Sequence, residues 1–268
     1  MKPHRPRKRF GQHFLHDQAV VRRLVGAVNP RHGQTIVEIG PGEGVLTGPL
    51  LAAGARVIAV ELDRDLAASL PRRLGFPGSL EVIQADVLET DLARLSPLPL
   101  RVVGNLPYNI STPILFHLFG FGERVVDMHF MLQKEVIDRL VADPGSKQYG
   151  RLTVMAAFHC DMARLFDVPP GAFRPPPKVV SAVVRMTPKP LDSAGLDRLP
   201  RLHAVVRAAF GQRRKTLRNA LKDLFSEEEI ASAGVDPKAR AETVSLAGFS
   251  ALSDRLTDSR APERRMAD

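Results

Sequence analysis

From about residue 35 onward, short β-branched runs alternate with amphipathic stretches of helical period, the arrangement that builds a parallel sheet covered by helices. The runs Thr35–Ile39, Arg56–Glu61, Leu80–Ala85, Leu100–Gly104, Val126–Gln133, Leu152–Cys160 and Val179–Met186 read as strands. Between the early ones, segments near Val45–Ala53, Asp63–Leu74 and Thr112–Phe119 read as helices. The late runs follow one another with little helix between them, which implies an antiparallel edge or hairpin at one end of the sheet.

Past the last run, Thr187–Pro200 holds three prolines and a glycine without periodicity and reads as a linker. From Arg201 to Ala261 the pattern is helical, with Val205, Val206, Ala209, Leu217, Leu221, Leu224 and Phe225 at helix-like spacings. The expected division is therefore a basic arm and first helix over residues 1–30, an α/β domain over 31–187, and a small all-α domain over 188–268.

With 44% of 268 residues apolar, the chain holds enough for one large core and a satellite domain, which argues against a disordered or fibrous protein. Lys and Arg outnumber Asp and Glu by 38 to 29, the balance of a protein that meets a polyanion. The single cysteine, Cys160, has no disulfide or metal-knuckle partner, so a reducing compartment, the cytoplasm, is expected. The basic stretch Lys2 to Arg9 is followed by no apolar run of signal-peptide length before Arg22 and Arg23. Nor do 18 apolar residues run together anywhere, so no membrane span is expected. His4, His16, His32, His117, His129, His159 and His203 show no metal-ligand spacing, and no metal is expected.

The run Ile36-Val37-Glu38-Ile39-Gly40-Pro41-Gly42-Glu43-Gly44 sets alternate glycines between an apolar strand and a helix, where backbone can approach a ligand closely. A dinucleotide fingerprint needs its third glycine one residue later, and Val45 stands there. Glu61 ends the second strand, positioned to accept both hydroxyls of a ribose; Asp86 ends the third, within reach of an exocyclic adenine amine. Two acids at consecutive strand ends suit an uncharged nucleoside better than a phosphate. Taken singly, each is equally a solvated strand-end acid.

The fourth strand ends in Asn105-Leu106-Pro107-Tyr108. An adenine amine is a poor nucleophile because its lone pair is delocalised into the ring. The Asn105 oxygen and the Leu106 carbonyl, freed from ladder pairing by Pro107, suit its two hydrogens, and Tyr108 suits a stack on the base. Methyl transfer from a sulfonium such as S-adenosylmethionine releases a neutral thioether, so alignment and desolvation carry the rate and no His or Lys dyad is expected.

These segments resemble the small-subunit (16S) ribosomal RNA adenine dimethyltransferases, the kasugamycin-resistance dimethyladenosine transferases. The resemblance runs from Arg9-Phe10-Gly11-Gln12-His13-Phe14-Leu15 through the glycine loop and Asn105-Leu106-Pro107-Tyr108-Asn109. It continues through Phe173-Arg174-Pro175-Pro176-Pro177-Lys178-Val179 to Phe210-Gly211-Gln212-Arg213-Arg214-Lys215-Thr216-Leu217. It implies a Rossmann-like class I methyltransferase sheet with helices on both faces and a small helical C-terminal domain. It also implies dimethylation at N6 of two adjacent adenosines in a hairpin near the 3′ end of 16S rRNA, by a monomer with a role in small-subunit biogenesis. Carried over by position, His13, Leu15, Gly40, Gly42, Glu61, Leu62, Asp86, Val87 and Asn105 would hold S-adenosylmethionine. Asn105, Leu106, Pro107, Tyr108 and Phe173 would present the adenine, with Tyr108 and Phe173 sandwiching the flipped base. The family pattern more often has Asn where this chain has His13.

RNA contact is expected from Arg7, Lys8 and Arg9, from Lys178, and from Arg207, Arg213, Arg214, Lys215, Arg218 and Lys222, since acids are nearly absent from the last cluster until Asp223. A solvated helix face is the alternative for that cluster, and a rigid surface linker for Val168–Lys178. Two other functions remain open: adenine methylation of large-subunit rRNA, and non-catalytic assembly of the small subunit.

Overall fold

In the computed structural model, residues 12–76, 78–95, 99–212 and 214–256 are described. The elements run β1 (Phe14–Leu15), α1 (Gln18–Val28), β2 (Thr35–Ile39), α2 (Thr47–Ala52), β3 (Arg56–Glu61), α3 (Arg64–Leu74), β4 (Leu80–Gln84), β5 (Leu100–Asn105) and α4 (Ser111–Phe119). They continue β6 (Val125–Gln133), α5 (Lys134–Leu140), α6 (Arg151–His159), β7 (Cys160–Val168), β8 (Phe173–Arg174) and β9 (Ser181–Pro188). The helices α7 (Ser193–Gly211), α8 (Leu217–Ala220), α9 (Glu227–Ser232) and α10 (Leu246–Arg255) close the series. None of the described helices is long and apolar enough to cross a membrane.

Contacts divide the chain into two units, one of residues up to Ile137 with Cys160–Lys189, the other of Asp138–His159 with the residues from Pro190 onward. In the first unit, seven strands form one sheet in the order β4-β3-β2-β5-β6-β9-β7. The five strands from β4 to β6 are parallel, with Val37 opposite both Ile58 and Val102, and β9 lies antiparallel between β6 and β7. Helices cover both faces, which makes this the Rossmann-like class I methyltransferase fold. Strands buried on both faces read as unbroken apolar runs: Ile36, Val37, Val57, Ile58, Val102 and Val103 are each at most 1% exposed. The amphipathic α1, capped by the Asp17 carboxylate on the Ala19 and Val20 N–H groups, seats Val21 and Leu24 in the same core.

The second unit differs from the expected division in its first segment. Leu152–Cys160, expected as a strand, forms α6 instead, and it belongs with the C-terminal helices rather than with the sheet. Seven of its nine residues are buried. A stretch apolar on every side reads the same as a buried strand or a buried helix, and here packing against α7 and α10 decides for the helix. The strand lies just after it, in β7, whose Asp161, Arg164 and Asp167 interrupt the apolar pattern because β7 is an edge strand. The expected linker Thr187–Pro200 is also short: β9 runs to Pro188, and α7 starts at Ser193 where the Asp192 carboxylate accepts from Gly195 N at 2.8 Å. Pro200 lies within α7. The unit is held by the Tyr149 hydroxyl, which donates to the Val244 carbonyl at 2.7 Å, and by the Tyr149, Phe210 and Phe249 rings in succession.

Candidate active site

The order of the parallel strands reverses between β2 and β5, and a cavity of about 260 Å³ opens outside their carboxyl ends, the switch point where such sheets bind ligands. His13, Leu15, Gly40, Gly42, Glu61, Leu62, Asp86, Val87 and Asn105 all line it, as do Leu106, Pro107 and Tyr108. Strand ends far apart in sequence thus meet at one wall.

The glycine loop is built around Gly42, whose φ of 56° is a left-handed value and whose missing β-carbon would stand 3.1 Å from the Phe14 ring. Both its backbone groups are committed. The Gly42 N–H donates to Glu61 Oε2 at 3.0 Å, and its carbonyl accepts from Arg73 Nη2 at 3.0 Å. A phosphate-cradling loop presents such N–H groups to its ligand. Here the Gly42 N–H serves a carboxylate of the protein instead. Glu61 also accepts from Asp63 N at 2.9 Å. Its pKa is raised, first by burial; the Asp63 and Gly42 N–H bonds pull it back, and the Asp63 charge adds to the rise. Asp86 caps the short turn Val87–Glu89, accepting from Leu88 N at 2.9 Å. A ligand with a diol at Glu61 and a neutral donor at Asp86 fits this wall; a polyanion does not.

Across the cavity, Leu106 N–H donates to the Met131 carbonyl at 3.2 Å, after which Pro107 offers no N–H and the chain leaves the ladder. The Asn105 amide is oriented by its neighbour: Nδ2 donates to the His13 carbonyl at 3.0 Å, which turns Oδ1 away as the acceptor. His13 Nδ1 lies 2.7 Å from the Pro175 carbonyl, and its ring stacks on Tyr108 with centroids 5.5 Å apart and 26° between planes. The Tyr108 hydroxyl is 2.6 Å from Ser181 Oγ, and burial raises its pKa while that bond opposes the rise, so the phenol stays neutral.

Phe173 departs from its expected place. It is 2% exposed within the core cluster, pairs as part of β8 with Leu15 of β1, and is absent from the cavity wall. Flanking β8 with Ala172, whose carbonyl accepts from His16 N at 2.9 Å, draws the ring inward. The aromatic lying against Tyr108 is instead His13.

Four contributors were not singled out from sequence. Glu38 lines the cavity at 1% exposure, and burial raises its pKa to about 7 against the opposing Thr47 hydroxyl bond of 2.6 Å, with Glu61 adding to the rise. Thr47, Arg73 and Ser181 act behind the wall. Only Glu38 carried a signal, an acid inside an otherwise apolar strand run.

Of the expected RNA contacts, Lys178 is exposed on the first unit, and Arg207, Arg214, Lys215, Arg218 and Lys222 are exposed on the second. Arg218 spends part of its charge on Glu227 at 3.5 Å. Arg7, Lys8, Arg9 and Arg213 lie outside the described residues. Among the described residues no cluster of three or more His, Cys, Asp or Glu side chains is placed to hold a metal ion.

The sheet order and the cavity at its switch point define a protein of the class I methyltransferase fold. Residues 3–258 match the family model described as ribosomal RNA adenine dimethylase, and the chain belongs to that family. It is 55% identical over 258 residues to the ribosomal RNA small subunit methyltransferase A of Acinetobacter baylyi, covering 94% of this chain and 93% of that one. The protein of the same name from Methylococcus capsulatus is 56% identical over 255 residues, covering 94% and 98%. Among solved structures, a dimethyladenosine transferase from Plasmodium falciparum superposes with a TM-score of 0.75 at 25% identity, covering 90% of this chain and 96% of that one. The 23S rRNA methyltransferase ErmE gives 0.72 at 27%, covering 91% and 99%.

Proposed function

We propose that this chain transfers methyl groups from S-adenosylmethionine to N6 of two adjacent adenosines in a hairpin near the 3′ end of 16S rRNA, dimethylating each. It does so as a monomer in the cytoplasm during small-subunit biogenesis. The observation that carries the chemistry is the Asn105 amide: with Nδ2 held on the His13 carbonyl, its Oδ1 is fixed as an acceptor at the cavity rim, beside the Leu106 carbonyl and the Tyr108 ring.

When bound, S-adenosylmethionine supplies an electrophilic methyl on a sulfonium, whose departure as a neutral thioether needs no acid. Glu61 would accept the ribose hydroxyls of the donor and Asp86 its adenine amine. Gly40, where a β-carbon would meet nothing within 4 Å, leaves the loop backbone open to the cavity. On the acceptor side, Asn105 Oδ1 and the Leu106 carbonyl would accept hydrogen bonds from the two N6 hydrogens and draw the nitrogen lone pair out of conjugation, toward the methyl carbon. As the N–C bond forms the S–C bond breaks, and one N6 proton is released to solvent in each transfer. Tyr108, neutral and held by Ser181, stacks on the base.

The same two acceptors limit the reaction to two transfers. Unmodified N6 offers two hydrogens, the monomethylated amine one, and the dimethylated amine none, so the product loses its hold on both.

The test is mass spectrometry of rRNA nucleosides after incubating unmodified small subunits with the enzyme and S-adenosylmethionine. N6,N6-dimethyladenosine in 16S rRNA is the expected product. Its absence despite bound S-adenosylmethionine refutes the reading, and better turnover on naked large-subunit RNA selects the large-subunit alternative.

A further inference from the structure

A second cavity, of about 460 Å³, lies at the opposite edge of the sheet, among the ends of α1, β2, β5 and β6 where the parallel strands begin. Along β2 it stands four residues, roughly 13 Å, from the glycine loop. No step of methyl transfer uses it.

Its chemistry is unusual for a structural void. His129 lines it at 1% exposure, with the Ala27 carbonyl against its ring. Burial lowers the His129 pKa, and Arg101 and Arg185 lower it further, while Asp127 and the nearby Ala27 carbonyl act the other way. The ring is thus neutral.

The charged groups around it divide into engaged and free. Asp127 is neutralised by a bidentate contact, Arg101 Nε to Oδ1 at 2.8 Å and Nη2 to Oδ2 at 2.7 Å. Arg101 is locked there by the Val28 carbonyl at 2.6 Å and by Gln34 Oε1 at 3.2 Å. The exposed Arg31 and Arg185 also line the cavity, and neither guanidinium has an ion-pair partner among the described residues. Three arginines therefore line a cavity with one carboxylate, already satisfied. A planar guanidinium fork with no carboxylate of its own matches a tetrahedral oxyanion bidentately.

We propose that this cavity binds a phosphate group, held by Arg31 and Arg185 above the neutral His129 ring. Its volume of about 460 Å³ leaves room for more than a bare phosphate. Free nucleotide and RNA backbone share this chemistry.

The test follows the His129 imidazole resonances of the full-length protein at constant ionic strength, during separate titrations with inorganic phosphate, adenosine monophosphate and oligouridylate. Saturable shifts are expected, weakened roughly tenfold, ~1.4 kcal/mol, in the Arg31→Ala/Arg185→Ala double variant. Oligouridylate acting at a concentration about tenfold lower per phosphate than either small anion assigns an RNA backbone, and equal potency assigns a free phosphate compound. No shift with any of the three, or shifts unchanged in the double variant, overturns the site. Both arginines are exposed, so unaltered S-adenosylmethionine binding and melting temperature in the same variant separate this outcome from misfolding and from failure of the methyl-transfer reading.

Discussion

Gly104 precedes Asn105 and pairs with Ile39, the residue before the glycine loop. A β-carbon placed on it would stand 2.6 Å from the Ile39 carbonyl oxygen and 3.1 Å from a Leu106 methyl. The methyl turns aside, but the carbonyl belongs to β2 and yields only if β2 and β5 separate. Restoring ordinary contact opens them by roughly 0.5–1 Å, and overpacking of this kind costs about 1–3 kcal/mol. The strain falls where Gly40 and Asn105 continue the two strands, so both walls of the cavity move together. A displacement near 1 Å costs ~10²-fold in rate when it lies between reacting groups. For Gly104→Ala the expected outcome is a melting temperature lowered by a few degrees, weaker S-adenosylmethionine binding by calorimetry, and single-turnover methylation of small subunits slowed by about two orders of magnitude. A variant that melts lower yet binds donor and transfers methyl at the wild-type rate would show that strand spacing does not set the cavity.

Three further outcomes follow from the same geometry. Asn105→Ala removes the fixed acceptor, so methyl transfer in single turnover should fall about 10²–10³-fold while subunit binding by filter retention is unchanged. Tyr108→Phe loses only the Ser181 bond and should retain activity within roughly fivefold, ~1 kcal/mol, whereas Tyr108→Ala loses the stacking face and should weaken capture of the target adenine by about 1–3 kcal/mol; titrating RNA under single-turnover conditions distinguishes them. Glu38 is raised from 4.5 to about 7, so the folded state holds its proton more tightly than the unfolded one. Its contribution is therefore present below 4.5, is lost as pH rises toward about 7, and leaves on the order of 3 kcal/mol of destabilisation above that. Glu38→Gln should keep the Thr47 bond and flatten the dependence of urea stability on pH across this window; an unchanged slope would place the titration elsewhere.

The parallel half of the sheet was legible because strands buried on both faces have no alternation to confuse, and because each is closed by a polar loop at the carboxyl edge. Glu61, Asp86 and Asn105 end consecutive strands in sequence, so their convergence follows once the strands are parallel. The antiparallel half was harder. Leu152–Cys160 is uniformly apolar and carries no period, while the real edge strand β7 holds Asp161, Arg164 and Asp167, with the last two pairing to each other. At the site, the sequence pointed mostly to residues that line the cavity and missed those that hold them. Arg73 and Ser181 sit in unremarkable helix and strand contexts, and their partners, the Gly42 carbonyl and the Tyr108 hydroxyl, are fixed only by the fold. Phe173 shows the converse: an aromatic in a telling motif points inward because β1 pairs with β8.

That small pairing also sets a timetable. His13 reaches Asn105 across 92 residues and Pro175 across 162. During synthesis from the amino terminus, β1 and His13 have no complete partner until residues 173–175 have been made, whereas the loops after β2, β3 and β4 find their neighbours within a few tens of residues. A chain shorter than that would hold the glycine-loop wall of the cavity without the His13 contacts that orient the Asn105 amide.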